Sequence, residues 1–535
     1  MTAPQNNERG THLLWVAIGL GVCLMAVGLY TRPLMTIDET RYLTVAWEMR
    51  NGGDYIVPHL NGEVYSHKPP LLFWLVNIAW TLFGISDWVG RAVAPFVGLL
   101  SIWWTRKLAQ ALWPDSPRTA ALAPLILASM ALWSIFSTLT MFDTLVTFST
   151  LITMSGAVMS YRGQQTRGWL VAGLGIGLGI LAKGPVILVH TLPVLLLAPL
   201  WQQRSPEVRF GRWYAGVAMA FATGLAVAAC WVLPAIIFGG EEYREAILWK
   251  QTAGRMVNAF DHRRPFWWYL PILPFLLLPW AMWGTFWKSI RGLTVDSGVR
   301  LCLIWAGATL LILSFVSGKQ IHYILPAFPA IALLMGRVVA EVRVTSRWEV
   351  AVMGWGSVML GALLSTYRLL PIPSEYVTSS PFAPQWGLVI LLGGVAILWA
   401  KERSVSSAVQ WVAVAACCNV AAMHFSLQDK YFSTCSVDQI SQRLSEIEKA
   451  GRPIAHQGVY AGQYHFPGRL TKPFEVLDSI EQLQAWQEKH PDGYIVGYEW
   501  EGQQPTWSTF TDAQPYRRGM KDHRVGLVPG ALVPR

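Results

Sequence analysis

Long apolar stretches recur from residue 13 to about residue 425 and then cease, leaving a polar tail of ~110 residues. A hydrocarbon core about 30 Å thick is crossed by roughly 20 helical residues. Repeated stretches near that length commit the chain to an α-helical polytopic membrane protein. The balance of 53% hydrophobic against 14% charged residues agrees. The first stretch, Leu13–Tyr30, exceeds a signal-peptide core and has no Ala-x-Ala site after it, so it is expected to remain as a span. Five cysteines (Cys23, Cys230, Cys302, Cys417, Cys418) fall in apolar segments and only Cys435 lies outside, which argues against a disulfide framework or a thiolate metal site.

Spans are expected at 13–30, 91–105, 119–139, 144–161, 168–182, 186–201, 213–238, 267–287, 301–317, 321–336, 348–367, 386–400 and 408–425, about thirteen in all. Leu71–Phe83 is apolar but too short to span and is expected to be interfacial or re-entrant. With that assignment one face collects Arg9, Arg106, Lys107, Arg118, Arg162, Arg167, Arg204, Arg209, Arg212, Lys288, Arg291, Arg300, Arg337, Arg343, Arg347, Lys401 and Arg403. Positive loops mark the cytoplasmic side. They also account for the net charge of +10 without any nucleic-acid partner.

The opposite, external face holds the reactive residue types. Between Ile37 and Pro70 stand Asp38, Glu39, Arg41, Glu48, Arg50, Asp54, His59, Glu63, His67 and Lys68. Ionisable groups clustered beside a membrane are a functional-site signal, with a solvated loop as the plainer alternative. Asp143, Lys183, the segment 239–266 and Ser317–Tyr323 share that face. A transporter more often carries such groups near the midplane, on broken helices or inverted repeats. The pattern here favours an enzyme working at the outer surface.

Asp38, Glu39 and Asp143 supply external carboxylates fit for a base and its orienter. With further oxygen ligands they would suit a divalent metal ion instead. Asp143 also reads as an N-cap of the span that follows. Lys68, Lys183, Lys319, His322, Tyr323 and the run His262-Arg263-Arg264 supply the cations and donors. A single boundary lysine is usually snorkelling. Four separate clusters resemble a phosphate-binding surface. Carboxylates opposite such cations suit displacement at a carbon bearing a phosphate leaving group. On a face without nucleotides, that substrate is most simply lipid-linked. Trp74, Trp80, Trp88, Trp267, Trp268 and Trp280 would line a lipid groove or form an interfacial aromatic belt.

Three pieces resemble the bacterial membrane glycosyltransferases related to the dolichyl-phosphate-mannose protein mannosyltransferases. They are Asp38-Glu39-Thr40-Arg41-Tyr42 with Gly53–Pro58 and Lys68-Pro69-Pro70-Leu71, then Lys183-Gly184-Pro185, then Ser317–Gln320 with His322–Pro326 and Pro329. In length and layout the lipid A aminoarabinose transferases are the nearest group. The resemblance implies a GT-C fold of about thirteen transmembrane helices, a polyprenyl-phosphate sugar donor, inversion at the anomeric carbon, and a lipid or glycan acceptor of the lipid A type. It implies Asp38 as the catalytic carboxylate, Asp143 as the second external acid and Lys68 at the lipid phosphate. Arg41, Tyr42, Tyr65 and His67 fall in the same loop. His67 stands where these enzymes commonly carry Glu, so a carboxylate suited to the donor head group is absent. The other readings are a protein O-mannosyltransferase and, from another class, a transporter of lipid-linked sugar or polysaccharide.

The expected domains are 1–428, a transmembrane catalytic domain with a periplasmic loop at 31–90, and 429–535, a small periplasmic α/β domain. In the second, Val437, Ile440, Leu444 and Ile447 form a helical stripe, Ser479–Gln482 reads as a capping box, and Tyr494–Tyr498 as a strand. The active site is expected on the periplasmic face of the inner membrane.

Overall fold

The computed structural model describes residues 3–203, 210–247, 263–370, 380–399, 403–500, 510–518 and 521–530. The elements used below are, in chain order, helices α1 (Asp38–Gly52), α2 (Leu71–Phe83), α3 (Phe142–Tyr161), α4 (Gln165–Lys183), α5 (Arg347–Thr366), α6 (Gln385–Leu398), α7 (Asp438–Lys449) and α8 (Ile480–Lys489). The strands are β1 (His59–Leu60), β2 (Glu63–Val64), β3 (Ile454–Gln457), β4 (Glu475–Leu477), β5 (Tyr494–Trp500), β6 (Thr511–Arg518) and β7 (Lys521–Pro529). The chain divides into two compact units, Met1–Gly28 with Ala94–Ser426, and Leu29–Val93 with Leu427–Arg535. The loop at 31–90 and the polar C-terminal segment thus fall largely in one unit, whereas a division by composition separates them at residue 428.

The first unit is helical. Among the described residues, eight helices in the chain are long and apolar enough to cross a membrane. Close helix contact is bought with small residues, as expected where lipid removes the hydrophobic drive between helices. A Cβ placed on Gly361 of α5 would sit 2.4 Å from the backbone nitrogen of Leu391 in α6. The expected continuous span 267–287 is instead broken into Tyr269–Leu276, a short turn at Trp280–Met282, and Gly284–Ser289. Pro279 stands at the break, where it removes a backbone donor. Trp280 is buried beside Trp283, not on a lipid face.

The second unit is built on a five-stranded sheet in the order β4-β3-β5-β7-β6. β3 runs parallel to β4 and β5, with Ala455 facing Glu475 and Ile495, and β7 runs antiparallel to β5 and β6. The stripe Val437, Ile440, Leu444 and Ile447 is buried against Val496, Tyr498 and Leu527. Ser479 and Gln482 form the reciprocal capping box that starts α8. Helix α1 is fastened to this body through buried hydrogen bonds from Thr44 Oγ1 to the Gly462 carbonyl (2.9 Å) and from Trp47 Nε1 to the Leu470 carbonyl (2.8 Å). Helix α2 spans 13 residues, only about 20 Å of rise, in keeping with an interfacial segment. Its Trp80 stacks on Phe466 at 4.9 Å, so this tryptophan also belongs to a core.

Candidate active site

The candidate residues fall into two groups, one in each unit. In the second unit the first turn of α1 presents Asp38, whose side chain is about half exposed at 54%. Tyr42, one helical turn on, donates its hydroxyl to Asp38 Oδ1 at 3.3 Å, and Arg41 Nη2 lies 3.8 Å from the same oxygen. Neighbours at i+3 and i+4 share one helix face, so local helix geometry alone aims both at the carboxylate. Glu39 turns inward. It is buried and accepts the Met35 N–H at 3.1 Å. It also favours the charged form of Arg32, which burial draws down to about 10, with Arg91 adding to the fall.

Phe73 of α2, fully buried, joins the rest of this group. The Tyr42 ring lies 6.5 Å from it and the Tyr65 ring 6.2 Å, and His67 lies 5.2 Å from Tyr65. Lys68 is half-buried and precedes Pro69 and Pro70, which open α2. Proline fixes φ, so the backbone beyond Lys68 is held in one course. Two acids of the loop serve structure instead. Glu48 accepts the backbone N–H groups of Asn61 (2.7 Å) and Gly62 (3.0 Å) at the β1–β2 turn. Burial raises its pKa despite those bonds. Asp54 accepts from Ile56 and Val57, both at 2.9 Å.

In the first unit, Asp143 sits in the first turn of α3 and Lys183 ends α4. Gly184, at φ +76, lets the chain leave the helix there. Lys183 Nζ donates to both carboxylate oxygens of Asp143, at 2.8 and 2.9 Å. The helix dipoles favour each charge at its position, the anion at an N-terminus and the cation at a C-terminus. His322 Nε2 lies 3.9 Å from Asp143 Oδ2, and the Tyr323 ring lies 4.6 Å from the Lys183 ammonium. The N-cap alternative for Asp143 is thereby overturned. Met141 occupies the N-cap with no side-chain cap, and the carboxylate is turned onto Lys183.

Lys319 is buried and donates to the carbonyls of Arg264 (3.1 Å) and Val316. It closes a turn in which Arg263 bridges Gly318 and the Arg264 N–H reaches the Ser317 carbonyl at 3.1 Å. At least two of the Lys319 ammonium bonds thus go to the backbone. Lys319 fixes the exposed Arg263 and Arg264 to the Ser317–Lys319 turn. His262 lies outside the described residues. No three His, Cys, Asp or Glu side chains among the described residues are placed to hold a metal ion. One member of the site carries no sequence motif, the buried Phe73, and an apolar helix face is the only signal it gives.

Residues 67–238 match the family described as dolichyl-phosphate-mannose-protein mannosyltransferase. The chain superposes on the crystal structure of ArnT from Cupriavidus metallidurans bound to undecaprenyl phosphate with a TM-score of 0.75 at 18% identity, covering 98% of this chain and 100% of that one. Together with the relatives that follow, these matches place the chain among the multi-pass membrane glycosyltransferases. Two relatives carry the name undecaprenyl phosphate-α-4-amino-4-deoxy-L-arabinose arabinosyl transferase. The one from Pseudomonas aeruginosa is 31% identical over 396 residues (71% of this chain, 69% of that protein), and the one from Pseudomonas paraeruginosa is 30% identical over 403 (73% and 70%). The chain belongs to this arabinosyl transferase family.

Proposed function

We propose that the protein transfers a sugar, with inversion, from an undecaprenyl or similar polyprenyl phosphate to a lipid or glycan acceptor of the lipid A type. The work is done on the periplasmic face of the inner membrane by a chain of about thirteen transmembrane helices with a periplasmic C-terminal domain. The observation that carries the reading is family membership combined with an intact Asp38 turn and Lys68-Pro69-Pro70 segment. Asp38 takes the proton of the acceptor hydroxyl. The acceptor oxygen then attacks the anomeric carbon, and the bond from that carbon to the phosphate oxygen breaks with its electron pair leaving on the polyprenyl phosphate. Tyr42 and Arg41 hold the Asp38 carboxylate in place.

Negative charge grows on the departing phosphate, so cations aimed at it stabilise the transition state more than the ground state. Lys68 serves there; Arg263, Arg264, His322, Tyr323 and Lys183 form a separate cationic group within the first unit. Asp143 acts as the anchor of Lys183, because a carboxylate with both oxygens on an ammonium is a weak base. Tyr65 and His67 flank Lys68 toward the donor sugar. A divalent metal ion is not required by this scheme.

Mass spectrometry of lipid A, surface polysaccharide and periplasmic proteins from a deletion strain tests the acceptor. Loss of a sugar from lipid A or a glycan is the expected result. Loss from a Ser or Thr of a periplasmic protein would identify a protein O-glycosyltransferase instead.

A further inference from the structure

A cavity of about 410 Å³ opens in the second unit, lined by His456, Gln457, Gly458, Val459, Gln463, Leu477, Asp478, Ser479, Ile480, Leu483 and Tyr498. It lies at the carboxyl ends of the parallel strands β3 and β4. Those strands run 2-1-3 across β4, β3 and β5, so the chain leaves β3 to one side and returns on the other. Ligands of open α/β sheets bind in the crevice where strand order reverses in this way. The volume falls within the range of about 300–1,000 Å³ typical of small-ligand sites.

The wall of the cavity is built and polar. The Gly458 carbonyl takes the His456 Nδ1–H at 2.9 Å, which leaves Nε2 to accept from the Tyr498 hydroxyl at 2.8 Å. Tyr498 in turn accepts from Tyr464 at 2.6 Å. Gln463 is 1% exposed. Its Oε1 accepts the Ala461 N–H at 2.9 Å, which leaves the amide nitrogen as the donor end of the group. Asp478 lies at the rim, exposed, with no ion pair among the described residues.

The lining contains no lysine or arginine, so it does not suit a phosphate or a carboxylate. It offers one carboxylate, two carboxamides, a phenol, and an apolar wall of Val459, Ile480 and Leu483. Vicinal hydroxyls pair with carboxylate and amide groups, and the C–H face of a pyranose packs on apolar side chains. We propose that this cavity binds an uncharged saccharide unit, and that Asp478 and Gln463 are its hydroxyl-recognising residues. The inference rests on the glycan-acceptor reading for its purpose: the pocket would hold a sugar of the acceptor during transfer.

Saturation-transfer difference NMR on the full chain in nanodiscs, without donor lipid, tests binding apart from transfer. The probes are glucose, mannose, N-acetylglucosamine and lactose, with inorganic phosphate as competitor. At least one saccharide should receive saturation from the wild-type protein. Asp478→Asn, an exposed change that spares the core, should weaken it by about ten-fold or more. Gln463→Ala should act in the same direction, whereas Asp38→Asn should leave the signal in place. Absence of signal for every sugar, indifference to Asp478→Asn, loss with Asp38→Asn, or displacement by phosphate would each overturn the proposal. None of those results bears on whether the protein transfers sugar, which is read separately.

Discussion

The Lys183–Asp143 pair is the most exacting interaction in the first unit. The two side chains are only 14% and 5% exposed, so removing one charge strands the other in a poorly solvated place. Breaking a buried pair from one side typically costs about 3–5 kcal/mol. Lys183→Ala should therefore lower the melting temperature in detergent and abolish transfer. Adding Asp143→Asn to it should recover much of the stability, with transfer still absent, and a double variant no more stable than the single would refute the pairing account. His465 gives a second residue-scale expectation. Its Nε2–H donates to the Lys472 carbonyl at 3.0 Å and its Nδ1 accepts from the Tyr460 hydroxyl at 2.6 Å.

Burial holds the folded His465 down at about 4, against roughly 6.5 when unfolded. Between those values the unfolded chain binds the extra proton. The contribution is thus full above pH 6.5 and is lost as pH falls toward 4, by about 3 kcal/mol. Glu48, whose pKa is raised, runs the other way and loses its contribution as pH rises. Hydrogen exchange of the 437–530 segment should show protection falling from pH 6.5 to 4 in the wild type and a flatter profile in His465→Asn. Equal profiles would show that His465 does not govern the acid limb.

At the scale of elements, α5 and α6 meet where only glycine fits. Gly361→Ala drives its methyl into the backbone of Leu391, and overpacking of this kind costs about 1–3 kcal/mol. Thermal unfolding in detergent should register the loss, while Gly307→Ala, with open space at its Cβ, should not. Elements governed by neighbours in sequence were legible from the chain alone. The α7 stripe, the α8 capping box and the shortness of α2 depend on spacings of a few residues. Contacts across hundreds of positions were not, because no local pattern marks them. Thr44 bonding the Gly462 carbonyl and Trp47 bonding the Leu470 carbonyl belong to that kind. The break of the 267–287 span stood in plain view as Pro279. It was masked by a composition that is apolar throughout.

For the whole molecule, the alternation of basic loops predicts an orientation that a reporter reads directly. Alkaline phosphatase fused after Arg535 should be active, and an inactive fusion with a fluorescent cytoplasmic reporter at the same site would reverse the assignment. The central claim is that this chain moves a sugar from a polyprenyl phosphate to an acceptor through Asp38. It is tested most directly by reconstituting purified protein in vesicles with radiolabelled undecaprenyl-phosphate sugar and lipid A, and following both label and anomeric configuration. General-base catalysis contributes about 10²–10⁴-fold. The account predicts wild-type transfer with inverted configuration, and Asp38→Asn turnover lower by that factor with unchanged folding. Label that crosses the bilayer still attached to its carrier, or an Asp38→Asn enzyme as fast as wild type, would contradict it.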